Sequence, residues 1–291
     1  MGSSTRACAM TRPWFLQGRR TRAFLRNRTA IVGAALAVVF AIVALLAPAL
    51  APRDPLEQNV YNMLARPGGS HLLGTDDLGR DVLSRILYGA RVSLIVGLSS
   101  VLIGTVVGVF VGLLAGYFGG FLELIVMRVV DVLMSFPVLV MGLMFMAILG
   151  PGMDKLILAI GLVLSPQIAR LTHGAMVALR DMEYITAARS VGSGPWRILR
   201  RHVLPNVLGE ILVMATLWMG TAIRVEANLS FIGLGVSPPT PTWGNMIREG
   251  VRWLAVTPWL AVFPGIAILL AVLAFNMVGD GLRDAMDPKL H

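Results

Sequence analysis

The chain alternates long apolar runs with short polar segments. Four runs contain no Asp, Glu, Lys or Arg, and they cover residues 31–50, 92–122, 132–153 and 253–279. A helix needs about 20 mainly apolar residues to cross the hydrocarbon core of a bilayer. Each of these runs therefore predicts a membrane-spanning helix.

Two further apolar runs are interrupted by isolated charges. Residues 156–177 contain Arg170, and residues 205–232 contain one arginine and two glutamates. Because charge is costly within a bilayer, such helices face a bundle interior, a cavity or the interface. With these two runs, the pattern predicts an all-α membrane protein with six transmembrane helices.

Composition supports the same class. Hydrophobic residues make up 56% of the chain and charged residues 14%, against about 25% charged residues in soluble domains. The net charge is +9 and the mean hydropathy is +0.75. A positive net charge together with high hydropathy excludes a soluble nucleic-acid binder. The single cysteine, Cys8, excludes an internal disulfide or a cysteine metal cluster.

Arginines indicate the orientation, because basic residues accumulate in cytoplasmic loops. Residues 1–29 and 283–291 are predicted to be cytoplasmic tails, residues 51–91 an external connection, and residues 179–206 a cytoplasmic loop. The first helix then covers residues 30–50 and the transmembrane core residues 92–282. The arginines before the first run, which no acid accompanies, are Arg6, Arg12, Arg19, Arg20, Arg22, Arg26 and Arg28.

A cleavable signal peptide is the alternative for the first helix, since arginines precede an apolar run that ends in small residues. The run is longer than the 7–15 residues of a cleavable core, which favours an uncleaved anchor. In the external connection, residues 74–91 predict an amphipathic helix on the outer face. The pairs Asp76–Arg80 and Asp81–Arg85 have the spacing of ion pairs on such a helix.

The fourth connection predicts a helix, a break and a second helix. Gly192 is typical of a helix end, Pro195 suits the first position of the next helix, and Pro205 is expected to end it. This elbow, residues 183–206, is also compatible with an ordinary interfacial loop.

The spacing Ala187-Ala188-x-x-x-Gly192, with Pro205 thirteen residues later, resembles the "EAA" loop of permease subunits in binding-protein-dependent ABC importers. In that family the loop docks into a cleft of the ATPase subunit. The motif's glutamate position is Thr186 here, and a glutamate stands one turn earlier. The resemblance implies the following ATPase-coupling residues: Glu183, Thr186, Ala187, Ala188, Gly192, Pro195, Trp196, Arg197 and Pro205.

Three other segments, residues 74–94, 229–247 and 273–288, resemble the C-type permease of dipeptide, oligopeptide and nickel importers. The resemblance implies a type I ABC importer permease fold in a bacterial plasma membrane. It also implies a homologous second permease, two ATPase subunits and an external substrate-binding protein as partners. The expected substrate is a di- or oligopeptide, and no nucleic-acid partner is expected.

The chain itself is not expected to be an enzyme. A phosphate-binding loop of the Gly-x-x-x-x-Gly-Lys type is excluded, because neither lysine, Lys155 nor Lys289, follows a glycine. ATP and Mg²⁺ would be used by the partner ATPase subunits, with no cofactor or metal bound by this chain. No catalytic residue is predicted.

Charges within the predicted spans are candidates for the substrate path. Arg224 and Glu226, two residues apart, point in different directions on a helix and do not pair. They either line the entrance for a zwitterionic peptide or anchor the helix at the headgroups. Arg128 and Asp131, three residues apart, predict a structural ion pair.

Two other functions are compatible with the sequence. A nickel importer permease shares the resemblance, because metal selectivity would reside in the binding protein. A self-sufficient secondary transporter is the alternative from another class. Such transporters often carry inverted repeats and ion sites at the middle of the membrane, for which the sequence offers no pattern.

Overall fold

The computed structural model describes residues 27–286. The predicted tail positions 1–26 and 287–291, with Cys8, lie outside this range. Within it, the helices are α1 (Arg28–Leu50), α2 (Val82–Phe118), α3 (Gly120–Met134), α4 (Val138–Leu149), α5 (Met153–Arg180), α6 (Glu183–Ser190), α7 (Pro195–Ile198), α8 (Leu204–Ile232), α9 (Trp243–Val251) and α10 (Trp259–Met286). A 3₁₀ turn, Val60–Asn62, lies between α1 and α2.

The helical, multi-span architecture confirms the predicted fold class. Among residues 27–286, five segments are long and apolar enough to cross a membrane, and a bent helix pair brings the number to as many as 6. The five are α1, α2, α5, α10 and the segment from α7 to α8. The bundle has a cap end, where α2 begins at Val82, and an elbow end, where α2 finishes at Phe118.

Pro137 lies within the apolar run 132–153 and predicts a bend there, which the structure confirms, whereas the run's bounds do not hold as those of one helix. This region is divided between α3 and α4, whose axes differ by 100°. The break falls at Pro137, which precedes the first residue of α4. Proline disfavours helical geometry in the residue before it, so the apolar run cannot continue as one straight helix.

Helices α2 and α5 are in close contact along a line of glycines. Gly104, Gly108, Gly112 and Gly116 recur every fourth residue, and each is buried. A Cβ atom at Gly108 would lie 2.6 Å from both the Ser165 carbonyl oxygen and the Ile168 Cβ. The absence of side chains therefore lets the two backbones approach closely, as small residues do between membrane helices.

The remaining long helices surround this pair. Helix α10 packs against α8 and α1, and at the elbow end the Asn27 amide donates to Asp284 Oδ2 at 2.9 Å. Towards the cap end, the Trp243 ring of α9 is fully buried, and its Nε1 donates to the Ile86 carbonyl oxygen at 3.1 Å. Helix α9 thus closes the cap end over α2.

The predicted amphipathic helix over residues 74–91 is wrong in its first half. Gly74 and Gly79 have φ angles of 78° and 72°, in the left-handed region that a right-handed helix does not use. Asp76 Oδ1 accepts the backbone N–H groups of Leu78 and Arg80, both at 2.9 Å, which makes a turn. The helix begins only after Asp81, whose carboxylate caps it by accepting the Ser84 N–H at 2.9 Å.

Ion pairs connect this turn to α9. Asp76 pairs with Arg80 at 2.7 Å, as its spacing predicts, and also contacts Arg85. Arg85 pairs with Glu249 of α9 at 2.8 Å instead of with Asp81. Because these groups are largely buried, removing one partner would leave an uncompensated charge.

The glycine line generates a stability prediction. We expect Gly108→Ala to lower the free energy of unfolding by about 1–3 kcal/mol, because the added methyl group overpacks the α2–α5 contact. A Cβ at Gly265 of α10 meets no atom within 4 Å, so Gly265→Ala is the matched control and should be neutral or stabilising. Thermal unfolding in detergent measures both, and equal midpoints would contradict the packing argument.

Candidate functional site: the elbow between α5 and α8

The elbow consists of α6, a short turn and α7. Helix α6 ends at Ser190, and Gly192 follows with a φ of 78°. The Ser193 N–H donates to the Ala188 carbonyl oxygen at 3.0 Å and the Gly192 N–H to the Arg189 carbonyl oxygen at 2.9 Å. These bonds satisfy carbonyl groups that a helix end leaves free.

Helix α7 begins as its sequence predicts. Pro195 occupies the first turn, and Gly194 before it is extended, with a φ of −66°. Proline has no N–H to leave unpaired at this position. The break between Gly192 and Pro195 is therefore encoded locally and does not depend on a partner.

One face of the elbow is fixed in the core. Ile185, Ile198 and Val203 are fully buried, and they pack with Leu113 of α2 and Met176 of α5. The Arg189 guanidinium lies 5.1 Å from the centre of the Tyr117 ring, within the range of a cation–π contact. The residues of the elbow are thus held against the last turns of α2 and α5.

The other face is exposed in the single chain and partly apolar. Val191 is 81% exposed and Trp196 is 64% exposed. Of the predicted coupling residues, the structure places Ala188 in the buried face, whereas the others are exposed: Glu183, Thr186, Ala187, Gly192, Pro195, Trp196, Arg197 and Pro205. Exposed large apolar side chains with polar neighbours such as Arg197 are typical of a protein contact when they lie on one surface.

The prediction that Pro205 ends the second helix is wrong. Residues Leu199–Val203 form a π turn, and α8 begins directly afterwards at Leu204. The Leu204 N–H donates to the Leu199 carbonyl oxygen, five residues back. Proline lacks an N–H, and its ring clashes with the carbonyl of the residue four positions earlier. The wider π turn therefore accommodates Pro205 in the first turn of α8 without a break between α7 and α8.

Arg224 and Glu226 occupy different surroundings, and they do not pair. Glu226 is fully buried and accepts hydrogen bonds from Ser93 of α2 at 2.9 Å and from Ser230 at 2.8 Å. Arg224 is exposed, and its Nη2 donates to Thr221 Oγ1 at 3.2 Å. The two serine partners of Glu226 were missed at the sequence level, although Ser230 has the i,i+4 spacing that brings side chains together.

The expected ion pair between Arg128 and Asp131 does not form. Asp131 contacts Arg170 of α5 instead. At the elbow end of the same two helices, His173 Nε2 lies 2.7 Å from Glu123 Oε1. No local spacing predicts these pairs, because their members lie on different helices.

Three carboxylates at the cap end, of Asp76, Asp77 and Glu249, have oxygens within 4.8 Å of one another. A metal ion is one way to compensate such a group of charges. Arg80 and Arg85 already contact Asp76 and Glu249, so the protein supplies the positive charge itself. This arrangement fits a structural network and not a metal site.

One protein-family model covers the elbow and most of the helices around it. The model for the inner membrane component of binding-protein-dependent transport systems matches residues 108–291. The chain belongs to this family. Residues 17–67 of this permease also match the N-terminal transmembrane domain of oligopeptide transport permease C.

Curated relatives match the permease along most of their length. The dipeptide transport system permease protein DppC of Escherichia coli K12 is 46% identical over 273 residues, covering 92% of this chain and 91% of the relative. DppC of Alkalihalophilus pseudofirmus is 42% identical, covering 91% and 87%. The glutathione transport system permease protein GsiD of Pectobacterium atrosepticum is 43% identical, covering 96% and 92%.

Solved structures agree at the level of fold. An inward-facing form of the MetNI methionine ABC transporter superposes with a TM-score of 0.56 and 20% identity, covering 71% of the permease and 97% of that chain. A second inward-facing crystal form gives a TM-score of 0.58. The predicted type I importer permease fold is confirmed by this similarity together with the family match.

The conformation of Gly192 generates a prediction. A valine there would have to adopt the left-handed region, at a cost of about 1–3 kcal/mol. We expect Gly192→Val to increase hydrogen exchange across residues 183–196 of the permease while its amount in the membrane is unchanged. Gly194→Val is the matched control, because Gly194 is extended and both sites have open space for a Cβ. Equal exchange in the two variants would contradict a conformational role for Gly192.

Proposed function

We propose that this permease is the membrane subunit through which an ATP-driven importer moves di- or oligopeptides into a bacterial cell. The observation that carries this proposal is the similarity, over more than nine-tenths of the chain, to dipeptide and glutathione transport permeases. Relatives from both systems are more than 40% identical to this chain. Peptides of two or three residues are therefore the substrate class that the relatives support.

The importer would contain a homologous second permease, two ATPase subunits and an external binding protein. The arginine distribution supports a cytoplasmic elbow and cytoplasmic termini in a multi-pass protein of the plasma membrane. ATP and Mg²⁺ would bind the ATPase subunits, because this chain has no phosphate-binding loop. Most discrimination among peptides would belong to the binding protein.

In this mechanism the exposed face of the elbow docks on an ATPase subunit. Closure of the ATPase pair would push on α6 and α7, and their buried face would pass the movement to α2, α5 and α8 through Ile185 and Ile198. Rigid packing of these side chains makes the movement collective, since a close-packed core transmits displacement. The bundle would then alternate between inward-open and outward-open states.

The proposal is tested by reconstituting the complete transporter in liposomes. We expect ATP-dependent uptake of a labelled dipeptide that requires the binding protein. Uptake of Ni²⁺ without dipeptide uptake would replace the peptide assignment with a metal. Uptake by this chain alone, driven by an ion gradient, would overturn the importer mechanism.

Docking of the elbow generates a further prediction. Trp196→Ala should lower ATP-dependent dipeptide uptake at least about tenfold, because an exposed tryptophan at a contact often contributes 2 kcal/mol or more. Leu269→Ala is the matched control, because Leu269 of α10 is 63% exposed, as Trp196 is 64% exposed, but lies outside the elbow. Similar uptake by both variants, at equal amounts in the membrane, would exclude Trp196 from the contact.

A further inference from the structure

A cleft between α3 and α5 contains charged side chains in segments that otherwise have the composition of membrane helices. Its volume is about 660 Å³, within the range of about 300–1,000 Å³ that is usual for small-molecule sites. The residues relevant to its chemistry are Glu123, Arg128, Asp131, Arg170, His173 and Gly174.

Except for Arg128, the charged side chains of the cleft are paired, but they are not fully buried. Asp131 contacts Arg170, and their side chains are 42% and 49% exposed in the single chain. Glu123 lies 2.7 Å from His173, and its second oxygen lies 3.9 Å from Arg180. Arg128 is exposed, and no carboxylate among residues 27–286 lies within the 4.0 Å that defines an ion pair with it.

Charged side chains in membrane-spanning helices face a cavity, a partner or the polar interface, because hydrocarbon does not solvate them. The cleft extends from Glu123, at the elbow end, to Asp131, about two turns further along α3. Glu226 is fully buried and accepts hydrogen bonds from two serines, whereas Asp131 and Arg170 keep 42% and 49% of their side chains exposed. The cleft must therefore face water, lipid headgroups or another polar surface in the assembled transporter.

We propose that this cleft is a section of the peptide's route, in which the carboxylate of Asp131 or of Glu123 contacts the terminal ammonium group and the guanidinium of Arg128 or of Arg170 contacts the terminal carboxylate. The inference rests on the proposed function and adds the site within this chain. It places the contacts with the substrate on α3 and α5, and not at Arg224 and Glu226.

The spacing of the charges fits a short zwitterion. Arg128 and Asp131 are separated by a rise of about 4.5 Å along α3, and an extended dipeptide spans about 7 Å. Side chains of opposite sign can therefore reach both ends of one peptide from neighbouring turns. Conduction requires sites that bind weakly enough for release, and the half-exposed pair Asp131–Arg170 meets this requirement.

Cysteine labelling tests whether the cleft is aqueous. The chain has one cysteine, Cys8, so Cys8→Ser gives a cysteine-free background for Gly174→Cys. Gly174 offers open space for a Cβ. In the complete transporter, we expect a charged, membrane-impermeant maleimide applied from both sides to label the introduced thiol and to reduce dipeptide uptake at least about tenfold. Leu269→Cys is the control, and only an apolar, membrane-permeant maleimide should label it.

Two labelling outcomes would overturn the proposal. If the Gly174→Cys thiol reacts in the isolated chain but not in the complete transporter, a partner subunit covers the cleft. If the same thiol is labelled in the complete transporter without loss of uptake, the cleft lies outside the route.

Charge variants test the contact with the peptide. Asp131→Asn and Arg170→Gln should each lower dipeptide uptake about tenfold, which corresponds to one lost hydrogen bond to a charged group. ATP hydrolysis stimulated by the loaded binding protein should continue. The double variant Asp131→Arg with Arg170→Asp keeps the pair but reverses its polarity, so it should preserve assembly without restoring uptake.

Full uptake by the double variant would mean that the pair is only structural, which overturns the proposal. The proposed function fails separately, by absence of dipeptide uptake in the Cys8→Ser transporter itself. In that case the labelling of the Gly174→Cys variant still decides whether the cleft is aqueous.

Discussion

The close approach of α2 and α5 is the contact on which the rest of the bundle depends. In lipid, helices gain little from hiding apolar surface, so their association rests on packing and polar contacts. The glycines from Gly104 to Gly116 provide this packing over more than three turns of α2. Because α2 and α5 also contact α3 and α8, this contact sets the positions of the elbow and of the charged cleft.

Each end of the bundle uses a different device to hold its connection. At the cap end, buried ion pairs of Arg80 and Arg85 connect the turn before α2 to α9. At the elbow end, apolar side chains such as Ile185 and Ile198 provide the attachment. In the proposed mechanism, this apolar attachment lets the elbow move together with α2, α5 and α8.

The parts of the fold that follow local rules were predictable, and those that depend on distant partners were not. Helix α1 and the break at Gly192 follow from apolar length and from local backbone preference. Pro137 predicts the bend between α3 and α4, but apolar length gives neither the 100° angle of that bend nor the start of α3 at Gly120. The pair Asp131–Arg170 joins two helices, and i,i+3 spacing suggested Arg128 instead. The four-residue glycine repeat is visible in the sequence, but only the structure shows that α5 is the helix it contacts.

The surroundings of the membrane charges separate structural groups from candidate functional ones. Glu226 is enclosed with two hydroxyl donors, so its polar atoms are satisfied within the chain. Asp131 and Arg170 contact each other but keep nearly half of their side chains exposed. A half-exposed ion pair contributes at most about 1 kcal/mol to stability, so stability alone does not require this pair. Their exposure on an open face of α3 and α5 is the observation on which the proposed peptide route rests.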